Sequence, residues 1–157
     1  MARVCRVMEF VRKEGPSRLA VDATGVGRQV VDWLRQAGLG CGMWPVLITA
    51  GERESLDQGW YRVPKRDLIV GLQVLLQREE LEVAAGLELW PVFLREMRDV
   101  RVRVTGRGHE QFGAWREGEH DDLVLAVALA CWGAGKVYPR RLAGAVGWCV
   151  PEAVRLL

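Results

Sequence analysis

Apolar residues recur at helical spacing over Val4, Val7, Met8 and Val11, and Gly15-Pro16 ends the run, so the chain opens on an amphipathic helix. Arg18 to Asp22 reads as a short buried strand ending in a carboxylate. Ala23 to Gly27 then turns the chain into a helix whose Val26, Val30, Leu34 and Ala37 share a face, closed by Gly38. Met43 to Thr49 predicts a second strand, followed by a polar loop from Gly51 to Gly59. Pro64 suits the first turn of a helix whose core face is Leu68, Leu72, Leu75 and Leu76. Leu81 to Ala84 predicts a short edge strand, and Leu87, Trp90, Leu94 and Met97 mark another helix. Val100 to Val104 alternates valine with arginine, the period of a strand with two unlike faces, and Gln111 to Arg116 returns beside it after a Gly106-Arg107-Gly108 turn.

The last element is the most apolar. Leu123 to Trp132 is ten apolar residues in a row, which predicts a helix buried on nearly every side. Ten falls far short of the ~20 residues that span a bilayer, so this helix belongs to a globular core. Strands alternating with helices make the fold class α/β, with one domain over residues 1–135. After Gly135 the residues Pro139, Gly144, Gly147 and Pro151 break up an irregular tail, 136–157.

Composition narrows the class. With 157 residues, half of them hydrophobic and 27% charged, the chain fits one ordinary globular domain. A net charge of +2 announces no global basic field, so a nucleic-acid surface must be local. Cys5, Cys41, Cys131 and Cys149 are scattered with no CxxC, which argues against a zinc site or a disulfide framework and for a reducing cytoplasm. The first residues lack the long apolar run of a signal peptide, and no GxxxxGK[ST] phosphate loop occurs.

Three stretches carry candidate chemistry. Asp22, at a strand end, is either a turn-capping aspartate or a metal ligand. Asp121 and Asp122 open the apolar helix, where they either cap it and complement its dipole or bind metal; two neighbouring acids are one more than a cap needs. His120 beside them is either an exposed side chain or a donor to an acid or phosphate. Thr24-Gly25-Val26-Gly27 also invites a dinucleotide reading, as in a small nucleotide-binding α/β protein, but Val30 stands where the third glycine belongs. Arg101 and Arg103, with Arg107 at the turn, form a one-sided basic ribbon beside Trp115 and Arg116, and Lys65 with Arg66 lies at a helix start. These cations either follow a DNA backbone or protect a solvated edge.

Taken in order, Val21-Asp22-Ala23-Thr24-Gly25-Val26-Gly27, Val63-Pro64-Lys65-Arg66-Asp67 and His120-Asp121-Asp122 resemble the C-terminal nuclease domain of the large terminase subunit of tailed bacteriophages. The resemblance runs from about Met1 to Gly135. It implies an RNase H-like, three-layer domain with a mixed sheet, acting as an endonuclease on double-stranded DNA during genome packaging in the bacterial host's cytoplasm. It also implies a motor ATPase domain and other terminase or portal components as partners, and Mg²⁺ or Mn²⁺ as cofactor. Hard cations prefer carboxylate oxygen, and two of them ~3.5–4 Å apart stabilise the attacking and leaving oxygens of a phosphodiester displacement. By resemblance Asp22 is the carboxylate ending the domain's fourth strand, and the acidic pair is the carboxylate of its final helix. Asp121 is favoured over Asp122 as the direct ligand, with the other a second ligand or a water-positioning group. The family places its first catalytic aspartate on a strand before the opening helix, and that strand has no counterpart here. The expectation is therefore an N-terminally truncated domain, either a nuclease or a catalytically dead prophage remnant serving as an interaction module.

Overall fold

A computed structural model describes residues 2–13, 16–81, 83, 84, 86–104, 110–113 and 121–137, the side chains of 101–104 and 110–113 excepted. They fall into two compact units, one within Met1–Pro64 and one beginning at Lys65. Together the described residues make an α/β protein with a mixed four-stranded sheet, a two-stranded hairpin and five helices.

The first unit runs α1 (Ala2–Lys13), β1 (Arg18–Asp22), α2 (Gly27–Gln36), β2 (Gly42–Thr49), β3 (Ser55–Asp57) and β4 (Trp60–Pro64). The sheet order is β1-β2-β4-β3; β1, β2 and β4 are parallel, and β3 runs against β4. Period-2 alternation puts Leu19, Val21 and Met43 on one face. Met8 of α1, Leu34 of α2 and Leu39 pack there as a buried cluster, joined by Val4, Cys5 and Cys41. Each such side chain contributes about 1.5–3 kcal/mol when fully buried, which is what draws two amphipathic helices onto β1 and β2.

Two expectations for this unit are corrected. Helix α2 starts at Gly27, which leaves Val26 in the preceding turn and 80% exposed. Its buried face is therefore Gly27, Val31 and Leu34, while Val30 lies outside it. The supposed polar loop before Gly59 contains β3, paired to β4 with Asp57 opposite Trp60. Gln58 (φ 48°) and Gly59 (φ 81°) form its two-residue turn. Two successive positive φ values are those of the type I′ turn, whose twist matches a hairpin. Glutamine stands where asparagine or aspartate usually marks such a turn, so its composition reads as loop.

The second unit contains α3 (Lys65–Gln77), α4 (Trp90–Asp99), β5 (Arg101–Val104), β6 (Glu110–Gly113) and α5 (Asp122–Val137). Helices α3 and α4 each pack on α5. Helix α3 buries Leu68, Ile69, Leu72 and Leu75, close to the expected face, and it begins one residue after Pro64, which ends β4. Residues 81, 83 and 84 lie in no strand, contrary to expectation. Helix α4 buries Phe93 and Glu96, with Leu94 and Met97 only partly covered. Strands β5 and β6 pair antiparallel, as expected, with β6 beginning at Glu110; the Gly106-Arg107-Gly108 turn and residues 114–116 of the expected return strand lie outside the described residues.

Helix α5 is not buried all round. Val124, Ala128, Leu129 and Gly133 are buried, but Ala126 and Ala130 are exposed. The two open positions, one turn apart, carry alanine, whose methyl group loses little by facing water. The helix runs to Val137, and the tail expected after Gly135 lies, beyond that residue, outside the described residues. No helix among the described residues is long and apolar enough to cross a membrane.

Candidate functional site

The start of α5 is built by three side chains from three elements. Asp121 sits at the N-cap position, and its backbone carbonyl accepts the N–H of Leu125 at 2.8 Å. An N-cap aspartate ordinarily turns its side chain onto the second or third helical N–H. Here those two donors, Leu123 N–H and Val124 N–H, are both taken by Oε2 of Glu96 from α4, at 2.9 and 3.0 Å. Glu96 is only 9% exposed. A carboxylate that buried needs compensation, and the two N–H groups with the positive end of the α5 dipole supply it.

Because Glu96 does the capping, the side chain of Asp121 is directed elsewhere. Its Oδ2 accepts a hydrogen bond from Lys65 Nζ at 2.5 Å, with 25% of the lysine side chain and 16% of the aspartate side chain exposed. Lys65 opens α3, and α3 packs on α5, so two helix starts are joined by one charge-assisted contact. Asp122, the first residue of α5, is exposed. Sequence reasoning chose the acidic pair but missed Glu96. The available signal was a glutamate on the apolar flank of α4, one residue before Met97.

In the first unit, Asp22 ends β1 and is exposed. Its Oδ1 accepts the N–H of Thr24 at 2.8 Å, an Asx-type turn. The turn is fixed further by Thr24 Oγ1, which accepts Ile48 N–H at 2.9 Å, and by Ala23 N–H on Val46 O at 2.7 Å. Gly27 is required by contact: a Cβ there would come within 2.4 Å of the Asp22 carbonyl oxygen. This glycine lets α2 start hard against the end of β1. The turn-capping role of Asp22 is thus present in the structure, and among the described residues it commits one carboxylate oxygen.

Of the expected DNA contacts, Lys65 carries the ion pair with Asp121 and Arg66 is exposed at the start of α3. Arg101 and Arg103 lie on β5, opposite Gly113 and Gln111. The side chains of those two arginines, and all of Arg107, Arg116 and His120, lie outside the described residues.

Carboxylate oxygen is the right donor for Mg²⁺ or Mn²⁺. Among the described residues, however, no group of three or more His, Cys, Asp or Glu is gathered as a metal would need. The fit is one of donor type and not of number, and Lys65 already supplies one counter-charge at Asp121. Cys5, Cys41 and Cys131 are free thiols, and burial pushes the Cys131 thiol up to about 11, so it is protonated and inert near neutrality.

No protein-family model, curated protein or solved structure matches this chain.

Proposed function

We propose that this chain is a nuclease-type domain of the phage large-terminase kind, a DNA endonuclease that uses divalent cations, with Asp22, Asp121 and Asp122 as its metal-binding carboxylates. The observation that carries the reading is the division of labour at α5. Glu96 satisfies the helix N–H groups, so the acidic pair is not consumed as a cap. A bound Mg²⁺ or Mn²⁺ would activate water and neutralise charge on the cleaved phosphodiester. The chain's own residues do the positioning. Glu96 fixes the first turn of α5 and the Thr24 turn sets Asp22 at the strand end, while Lys65 occupies the Asp121 carboxylate until a cation takes its place. Double-stranded DNA is the substrate of this reading, with Arg66, Arg101, Arg103, Arg107 and Arg116 offered to its backbone. A motor ATPase domain and portal components are its partners.

The test is supercoiled plasmid incubated with Mn²⁺ and either the protein or its Asp121→Ala, Asp122→Ala variant. Nicked and linear products are expected from the first and none from the second; equal yields, or no products from either, dispose of the nuclease.

The Lys65–Asp121 ion pair favours a second reading, an interaction module without catalysis, because an ammonium in contact with the carboxylate supplies its counter-charge with no metal. Calorimetric titration with Mn²⁺ separates the two. Binding that disappears in Asp22→Ala supports the nuclease, and an unchanged baseline supports the module.

A further inference from the structure

The two edges of the four-stranded sheet are unlike. Strand β3, at one edge, has three residues, all exposed, and is bounded by Glu54 and Asp57. Short, charged edges of that kind resist further pairing. Strand β1, at the other edge, has five residues with Leu19, Ala20 and Val21 at its centre and neither proline nor lysine to blunt it. Among the described residues, no strand and no backbone hydrogen bond occupies the side of β1 away from β2.

We infer that β1 is a homodimerisation edge, pairing antiparallel with β1 of a second copy about a twofold axis at Ala20. The sequence Arg18-Leu19-Ala20-Val21-Asp22 is complementary to itself in that register. Ala20 faces Ala20 of the second copy, Leu19 faces Val21, and Arg18 faces Asp22 at both ends. Residues directly opposite in an antiparallel pair point to the same face. Leu19 and Val21 of both copies thus continue the apolar face that α1 and α2 cover, and the charges lie together on the other. Shifting the register by one residue sets leucine and valine against alanine or charge, which disfavours alternatives. A foreign strand would satisfy the backbone equally well but not the reciprocal Arg18 and Asp22 pairing. The contact is isologous, so it closes at two copies. The pairing and the nuclease reading both call on Asp22, and because the mass of the protein is measured without metal or DNA, either can fail alone.

The experiment is sedimentation equilibrium of the whole chain across a concentration series, with circular dichroism to confirm that each variant is folded. The protein is expected to dimerise. Arg18→Asp sets like charges opposite at both ends and should weaken the dimer about 10- to 100-fold. Adding Asp22→Arg restores the opposite pairing and the affinity. Independently, Ala20→Cys places two thiols at the axis in a hydrogen-bonded pair with Cα atoms about 5.5 Å apart, within reach of a short bifunctional thiol reagent that crosslinks the copies. A chain that stays monomeric, a dimer indifferent to Arg18→Asp, or a dimer that does not crosslink through position 20 overturns the pairing.

Discussion

Replacing Glu96 tests the architecture of the candidate site more directly than replacing the acids themselves. The carboxylate accepts two backbone N–H groups, at 2.9 and 3.0 Å, and is 9% exposed. Glu96→Ala removes the acceptor and leaves both donors facing a cavity. Each unsatisfied buried donor costs about 1–3 kcal/mol, while relief from burying a charge offsets part of the sum. The expected loss is about 3–4 kcal/mol, and at about 2–4 °C per kcal/mol for a chain of this size the midpoint of thermal unfolding falls by roughly 10 °C. Glu96→Gln keeps an oxygen that can accept but loses the charge and its interaction with the helix dipole, worth up to about 2 kcal/mol in a partly buried setting. It should therefore cost about half as much. Circular dichroism melts give the magnitudes, and amide hydrogen exchange gives the location, with protection lost first at Leu123 and Val124. A loss below about 1 kcal/mol for Glu96→Ala, or equal losses for alanine and glutamine, would refute the claim that a buried carboxylate caps α5.

Three further outcomes follow from local geometry. Gly27→Ala drives a Cβ to within 2.4 Å of a backbone oxygen that cannot swing away, so α2 must shift; a loss of about 1–3 kcal/mol is expected in urea titration, and wild-type stability would show that the approach is looser. Gln58→Asn puts the residue favoured at positive φ into the first position of the β3–β4 turn and should raise the unfolding midpoint by a degree or two, whereas a fall would argue against the type I′ assignment. Cys131 has its thiol raised from 9.0 to about 11 by burial, equivalent to about 3 kcal/mol. The protonated thiol is the form the fold prefers, so this stability is complete below pH 9.0 and is lost as pH rises towards about 11; Cys131→Ala should lack that part of the alkaline decline, and superimposable pH profiles would exclude it.

The parts of the fold legible in the sequence are those where one signal dominated. Strand β1 was bounded correctly by its apolar run and terminal aspartate, and α1 by its repeat and the Gly15-Pro16 stop. Strand β5 is legible from its strict alternation, and its antiparallel partner β6 overlaps the expected return strand at Gln111 to Gly113. Errors arose where a turn shifted the phase. Three residues of turn before Gly27 moved the α2 face from Val30 to Val31, and a glutamine in a type I′ turn hid the β3–β4 hairpin. The site was half legible for a different reason. Two acids before an apolar run can be seen in one line of text, but the residue that frees them, Glu96, lies on another helix. Periodicity ranks Glu96 as a charge on an apolar flank, and only the meeting of α4 with α5 turns that apparent defect into a cap.

That meeting changes how the acidic pair should be weighed. If Asp121 capped α5 itself, its oxygens would be engaged by rigid backbone donors, and releasing one would cost about 0.5–2 kcal/mol of helix stability. Bonded instead to Lys65 Nζ, the carboxylate is held by a flexible side chain that is partly open to solvent. Such a partner can swing aside and recover hydration for its ammonium, whereas a helix N–H cannot leave the helix. Lys65→Met should then act in opposite directions under the two proposed readings. In a metal-using nuclease it removes the competitor for Asp121 and tightens Mn²⁺ binding, while leaving the Glu96 cap and the protection of Leu123 and Val124 intact. In an interaction module it strands a partly buried carboxylate, so stability falls and no Mn²⁺ binding emerges. Calorimetry and a melt on one variant separate the cases, and weaker Mn²⁺ binding in Lys65→Met would refute the idea that the ammonium stands where a cation could.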